Sequence, residues 1–547
     1  MRNEVRAGAR PAHVLGRRHA ISLAALTLFT AHCASAVEIE TGNSDWKLRW
    51  DNTVKYSVMN RLDAATPELS SGTGTLNQND GNNNFGRGIV SNRLDLLSEI
   101  DLAGPSYGAR VSAAAWHDAA YAGGTGNTSS TSNHSPAGEF PSETKRLMGG
   151  DVEVLDAFVY SSFELGDKPA SARLGRHTLL WGESLFFGAN GIAGGQAPLD
   201  LIKLLSVPNS TFKEVARPTG KLSGQVQLSS DVSVGAYVGY EWEKTRLIPV
   251  GAYLSTSDAL GPGAERIAAG SFSFSKKADL EPSSDGQGGI QLRVRAPSID
   301  TDFGFYATRY HANTPSNIYN TNSPTPSSYR WVYHEGVRAY GASFSKSVGE
   351  WGWAGEVSVR DNAPLASSGR TINTVTGSNV GLNNSDNPGY AVGQTGHAQV
   401  SWIASLGPSF ISREASLVGE IAWNRRLSVT KNELMLNPNS DESAWAVRMV
   451  YAPTYRQVSP GLDLTPSIGV GYTQGRSSAV GPAFGVDKGG DVTLGLSGTY
   501  LGNWTFAMNY VQYTGASGTT LDTNNNAQYL QALKDRNYLT FSVRTTF

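Results

Sequence analysis

A chain of 547 residues with a formal charge of −2 and only 17% charged residues offers no basic face, which argues against a nucleic-acid partner. After the N-terminus it has no run of 18 or more apolar residues, which excludes helical membrane spans. With 61 glycines and 10% aromatics, the composition leaves an all-β protein, either secreted or set in an outer membrane.

Arg17, Arg18 and His19 precede an apolar run over 20–31 that ends at Ala34-Ser35-Ala36, the small-x-small pattern cut by signal peptidase. Residues 1–36 therefore read as a secretory signal peptide and 37–547 as one mature domain. The arginine pair has flanks that fit twin-arginine export poorly, and a barrel must cross the inner membrane unfolded, so the ordinary secretory route is the expectation. Cys33 is the only cysteine and falls inside this leader, so the mature chain has neither disulfides nor thiol chemistry. His32 before it is too bulky for a lipoprotein cleavage site.

From Trp46 onward, period-two alternation dominates. Trp46, Leu48, Trp50, Val54 and Tyr56 alternate with Lys47, Arg49, Asp51, Thr53 and Lys55. Val232, Val234, Ala236 and Val238 alternate with Ser233, Gly235, Tyr237 and Gly239, and Trp504, Phe506, Met508 and Tyr510 with Thr505, Ala507 and Asn509. The apolar faces often end in Trp or Tyr, as an interfacial girdle requires, and the other faces carry charges and glycines. Lipid outside and water inside is the arrangement this favours.

Connections alternate between short ones, at 103–106, 166–169, 229–231, 297–301 and 501–503, and long polar, flexible ones, at 61–87, 123–150, 249–287, 363–393 and 515–531. Short periplasmic turns opposite long external loops describe a transmembrane antiparallel β-barrel, here of about 18 strands (16–18). The weak strand signals over 332–347 leave the count, but not its even parity, open.

The stretch 172–218 departs from this pattern. Alternation fails at Gly175-Arg176, where a clean register would put Arg176 in lipid at about 2–4 kcal/mol. A bulge at Gly175 that turns Arg176 inward is therefore expected. The chain then hinges at Trp181-Gly182, and 182–217 is the third external loop, which by analogy with general porins folds into the lumen. A helical patch over 198–205 starts at a proline and puts Leu201, Leu204 and Leu205 on one face for the barrel wall to cover.

Arg176, His177, Trp181, Gly182, Glu183, Asp200, Lys203, Lys213 and Glu214 are the candidates to line or brace a constriction, the alternative being solvated loop charges and packing salt bridges. Arg293, Arg295, Arg360, Arg448 and Arg544 share the inward face with Glu241, Glu356 and Glu420, a mixture that reads as a hydrated, salt-bridged wall. At the C-terminus Leu539, Phe541, Val543 and Phe547 face one way. Such a final strand resembles the signal read by the outer-membrane barrel assembly machinery.

Leu174-Gly175-Arg176-His177 and Trp181-Gly182-Glu183-Ser184, followed by Pro198-Leu199-Asp200, Lys203, Lys213-Glu214 and Pro218, resemble the signature of the DUF1302 family of proteobacterial proteins. Leu155-Asp156-Ala157-Phe158-Val159-Tyr160 and Leu533-Lys534-Asp535-Arg536-Asn537-Tyr538 extend the match over nearly all of the mature chain. His177 stands where that family usually has Gln, and Ala197 where it has Asn. The resemblance implies an outer-membrane protein associated with breakdown or export of hydrophobic compounds.

The resulting expectation is a channel in the outer membrane of a Gram-negative bacterium, passing small hydrophobic or amphipathic organic solutes without energy coupling. Its partners are outer-membrane lipid, the assembly machinery and the solute; no cofactor or metal is expected, and the number of copies is left open. No enzyme is expected. His334-Glu335 lacks the second His of a zinc-protease helix, no G-x-S-x-G elbow occurs, and 188–195 has no dinucleotide-binding context. A barrel hydrolase using His117-Asp118, His177 or His397 is the lesser alternative. An adhesin or structural surface protein, suggested by the Asn-, Ser- and Gly-rich loops, is the other.

Overall fold

The computed structural model describes residues 37–547 apart from 73, 130–131, 271, 322–326, 370–371 and 374–380. The expected signal peptide, 1–36, lies outside the described residues. Nine barrel strands come first: β1 (Lys47–Arg61), β2 (Gly88–Ala103), β3 (Tyr107–Asp118), β4 (Gly150–Leu165), β5 (Lys168–His177), β6 (Thr219–Gln227), β7 (Val232–Gly239), β8 (Gln287–Ala296) and β9 (Thr301–Tyr310). The second nine are β10 (Val337–Val348), β11 (Trp351–Pro364), β12 (Val392–Leu406), β13 (Glu414–Lys431), β14 (Ser443–Ser459), β15 (Leu462–Gln474), β16 (Gly489–Tyr500), β17 (Trp504–Thr514) and β18 (Tyr538–Thr546).

Each strand pairs antiparallel with the next, and β18 pairs with β1, so 18 strands close a barrel. A nineteenth strand of the sheet, Val37–Glu40, lies against the start of β1. At the seam the Asn52 N–H donates to the Phe547 carbonyl at 2.7 Å and the Phe547 N–H to the Asn52 carbonyl at 2.8 Å. Among the described residues no helix is long and apolar enough to cross a membrane.

Period two sorts the side chains as expected. On β2, Leu94, Leu96 and Ile100 are exposed on the outside while Arg93, Asp95, Leu97 and Glu99 are buried inside. Trp351 stacks on Trp353 at 5.5 Å, and Trp353 meets Trp402 at 6.1 Å, all on the outer surface near the short-turn end. Phe541 and the terminal Phe547 are exposed there too, and Val543 shares their side of β18. One end of the barrel carries the short turns and the other the long loops, among them 62–87, 119–149, 178–218, 240–286, 311–336, 365–391 and 515–537. The doubtful segment resolves: Val337–Val348 is a barrel strand, whereas Ser328–Val332 belongs to a separate sheet.

That separate sheet corrects the expectation of flexible long loops. Arg266–Ala269, Phe272–Lys276, Asn317–Thr321, Ser328–Val332 and Ile372–Asn373 pair into five strands contributed by three loops. Beside them Tyr121, Phe140, Leu147, Met148, Ile202 and Ala252, from two other connections and one of the same three, form an apolar core. Arg61 is fully buried and donates to the carbonyls of Asp63, Asn82 and Phe85 and to the Asn82 side chain. Arg536 reaches the carbonyls of Tyr253 and Ser255. Buried arginines are held only where hydrogen bonds replace their water, so these loops form one interlocked lid.

Two acids inside the lid confer a pH dependence. The Asp258 carboxylate accepts the Asn79 N–H at 2.8 Å and the Asp80 N–H at 3.2 Å. Asp80 in turn accepts the Asn133 N–H at 2.9 Å and Asn127 Nδ2–H at 3.0 Å. Burial, then the adjacent Asp80, push Asp258 up to about 8, and burial raises Asp80. Because both folded values lie above the unfolded ones, their contribution to lid stability is full in acid and is lost as pH rises, for Asp258 through about 8. Protease should therefore cut the long loops faster above about pH 8.5 than at about pH 6, and Asp258→Asn should flatten the difference. Equal cutting of the native protein at both pH values would refute this.

Candidate functional site

The connection 178–218 turns into the barrel instead of joining the lid's outer surface. It starts without the expected bulge. Pairing of β5 with β4 and β6 runs unbroken through Gly175 and Arg176, so Arg176 stays on the outer face beside Leu174. It is tolerated there because it sits at the strand end, 3.4 Å from Glu241, and donates to the Pro218 carbonyl at 3.3 Å. Gly175 is required for a different reason: its φ is +128°, and a Cβ would lie 2.3 Å from the Ala157 carbonyl. The register shift falls instead on β4, where two residues, Leu155 and Asp156, face Ser112.

His177 points inward and is buried. Its Nε2 lies 2.8 Å from Ser223 Oγ and its Nδ1 3.0 Å from the Gly175 carbonyl. A serine-histidine pair of this kind raises the hydrolase alternative. Here, however, a backbone carbonyl occupies the place of the orienting carboxylate, and Phe158 packs over the ring at 5.5 Å. The pair ties β5 to β6.

Beyond the hinge, Trp181 is buried against Tyr237 at 5.1 Å and Tyr306 at 6.1 Å, both inward residues of the wall. Its N–H donates to Gln196 at 2.6 Å. Gly182 has φ +97°, and a Cβ there would lie 2.2 Å from Glu356 Oε2. The glycine thus lets the backbone close on a carboxylate: Glu356 of β11 accepts the Glu183 N–H at 2.7 Å and the Ile192 N–H at 2.8 Å.

Glu420 of β13 accepts three successive N–H groups, from Leu185 at 3.2 Å, Phe186, and Phe187 at 2.9 Å. Arg360 of β11 donates to the carbonyls of Ala189, Asn190 and Gly191 at 2.8–3.0 Å. The Glu183 side chain lies 3.7 Å from Arg293, and burial holds its carboxyl above the usual range.

The returning arm is pinned on the far side of the ring. Asp200 caps a helix, Leu201–Ser206, by accepting the Lys203 N–H at 3.0 Å, and also accepts Arg246 at 2.8 Å. Lys203 is buried against Asp95 of β2 and lies 5.4 Å from the Trp116 ring. Lys213 pairs with Glu99 of β2, and Glu214 with Lys55 of β1 at 3.1 Å. Burial opposes ionisation of Glu214, yet Lys55 and the Thr211 N–H hold its carboxyl below the usual range. Asn209 reaches Ser542 of β18 at 2.7 Å.

The helix begins at Leu201, three residues after Pro198, and its buried side carries Ile202, Lys203 and Ser206. Leu204 and Leu205, expected under the wall, are 52% and 46% exposed, as are Leu185, Phe186 and Phe212 at 43%, 36% and 58%. These apolar side chains are the loop's free surface inside the barrel. Arg448 lies 5.8 Å over the Phe186 ring and is held by Asp491 at 2.8 and 3.1 Å. Among the described residues no group of three or more His, Cys, Asp or Glu side chains could hold a metal ion.

The family model described as "Protein of unknown function (DUF1302)" matches residues 17–547. The chain belongs to the DUF1302 family. No curated protein matches this DUF1302 chain in sequence. In structure it is similar to Acinetobacter baumannii OccAB1, at 10% identity and a TM-score of 0.44, over 94% of this chain and 98% of that one. It is similar also to Pseudomonas aeruginosa OpdK, solved with vanillate, at 10% identity and 0.40, over 91% and 98%. A BenF-like porin from Pseudomonas fluorescens Pf-5 gives 9% identity and 0.40, over 92% and 98%.

Of the nine candidates in this DUF1302 chain, Trp181, Gly182, Glu183, Asp200, Lys203, Lys213 and Glu214 meet around the inner loop. His177 braces the wall beneath it, and Arg176 stands apart on the outer face. Glu356, Glu420 and Arg360, expected as hydrated wall charges, are the loop's anchors. Their signal was available in part: Glu420 lies opposite Arg448 in the β13–β14 register, but Arg448 turns to Asp491, which frees the carboxylate for the loop.

Proposed function

We propose that this chain is an outer-membrane channel of a Gram-negative bacterium that passes small amphipathic or hydrophobic organic compounds by diffusion, with 182–217 as its constriction. The observation that carries the reading is the loop tethered across the interior with Leu185, Phe186, Leu204, Leu205 and Phe212 uncovered. Apolar side chains left in a polar lumen have a use when the passing molecule has an apolar surface of its own. The wall supplies the polar half, through Arg293, Arg448 and Asp491. The exposed outer belt suits lipid, and the Phe541, Val543 and Phe547 side of β18 suits recognition by the assembly machinery.

Replacing 184–214 by a short Gly-Ser linker should raise single-channel conductance several-fold and abolish any preference for apolar solutes in liposome swelling. An unchanged conductance would refute the constriction. The interlocked lid favours a second reading, a surface protein that transports nothing; liposomes carrying the native protein that fail to swell in any small solute would establish it.

A further inference from the structure

Because the long loops interlock at one end of the barrel, the side of the barrel acquires interest as a second route. The wall is low along β5 to β8, which end close together: His177 pairs with Thr219, Lys221 with Gly239, and Gly239 with Gln287. β4 runs on past them: its last pair with β5 is Ala157 with Arg176, and among the described residues no strand pairs with 150–156 on that side. Val152 and Val154 project outward from this free edge, 73% and 53% exposed.

Beside the edge lies a cleft of about 360 Å³, lined by Leu147, Arg217, Arg246, Leu260, Ala264 and Trp331 among others. Behind it, within the barrel, is a hollow of about 10 Å³, enough for one water, bounded by Lys55, Glu153, Asp200, Lys203 and Glu214. Four charged side chains divide the two. Glu153 accepts Arg217 at 3.1 Å and Arg246 at 2.7 Å, and Arg246 also reaches Asp200 at 2.8 Å. The arginines line the cleft and the carboxylates line the hollow, so this ionic partition stands between the cleft and the space under the inner loop.

The cleft's charges are already matched. Lys244 pairs with Asp279 and Glu281, Lys276 with Asp279, and Arg146 with Glu143 and Asp151. Among the described residues lining the cleft no free charge is left to hold an ion, whereas Leu147, Leu260 and Trp331 offer apolar surface and the unpaired β4 edge offers backbone N–H and C=O groups.

We propose that this cleft is a side doorway through which uncharged amphipathic molecules held in the outer leaflet reach the interior, with the Glu153, Arg217, Arg246 and Asp200 partition as its gate. The inference rests on the channel reading and adds the route and the charge class of the solute.

The test uses intact cells, whose lipopolysaccharide leaflet holds back the uncharged dye N-phenyl-1-naphthylamine, with arabinose-driven swelling of proteoliposomes as the control for the water-filled route. Cells with the native protein should take up the dye faster than cells without it. Ala264→Trp, which fills the cleft, should slow dye uptake several-fold, and Glu153→Gln, which loosens the partition, should speed it; both should leave arabinose swelling unchanged. Should Glu153→Gln fail to assemble, Arg217→Gln loosens the same partition. Native dye uptake that neither variant changes, with arabinose swelling intact, overturns the doorway and leaves the channel standing. Native protein that admits neither dye nor arabinose overturns both.

Discussion

Glu420→Ala is expected to unseat the inner loop and to give the largest change in current of any single substitution in the chain. One carboxylate accepts three consecutive backbone N–H groups, from Leu185, Phe186 and Phe187, and no other described residue accepts them. Hydrogen bonds to a charged group contribute about 1.5–3 kcal/mol each, and water in the lumen recovers part of that, so a net loss of about 3 kcal/mol is expected. That is enough to shift the segment from seated to mobile. Planar-bilayer recording should show higher conductance with frequent flicker, and Glu420→Gln, whose amide oxygen still accepts, should fall between the two. A variant that conducts and melts like the native protein would show that Glu356 and Arg360 alone hold the loop.

Gly182→Val should act on the same segment from the backbone side. At φ +97° an L-residue is strained, and a Cβ would come within 2.2 Å of the Glu356 carboxylate. The strain costs about 1–2 kcal/mol, and the collision adds the loss of the Glu183 and Ile192 hydrogen bonds to Glu356. A β-branched side chain has little rotamer freedom with which to escape. The barrel should still form, because Gly182 lies outside every strand pair, but the loop should become sensitive to protease added inside proteoliposomes or from the short-turn side. Gly182→Ala should be only partly milder, since the offending atom is Cβ itself. Native-like resistance in both variants would mean that the carboxylate moves aside at little cost.

Much of the barrel was legible because its rules are local. Trp504, Phe506, Met508 and Tyr510 alternate with small and polar neighbours whatever the rest of the chain does, and loop lengths count strands two at a time. What failed is what depends on partners remote in sequence. Arg176 breaks the alternation, and burial in lipid looked costly; the relief comes from Glu241, sixty-odd positions on, and from its place at a strand end. Leu204 and Leu205 looked like a helix face in search of cover, but Ile202 and Lys203 are the buried pair because the loop's own neighbours, Asp95 and the lid core, lie on that side. The long loops read as flexible from their Asn, Ser and Gly content, yet such side chains bridge one loop to the next, as Asn127 does to Asp80 and Asn133 does to Asn77 and the Arg266 carbonyl. Composition does not distinguish a polar side chain that meets water from one that meets another loop.

The anchors of the inner loop also set an order of assembly. Glu183 waits for Glu356, 173 residues later, and Leu185 for Glu420, 235 residues later. Contacts so distant form late, after the intervening chain has been ordered. Until β11 to β13 are in place the first half of the segment, 183–192, has no seat, although the returning arm can already pair with β1 and β2. The features that make this segment look irregular in isolation therefore suit it to be the last part of the interior to lock, so that a finished barrel and a seated loop are reached in one step.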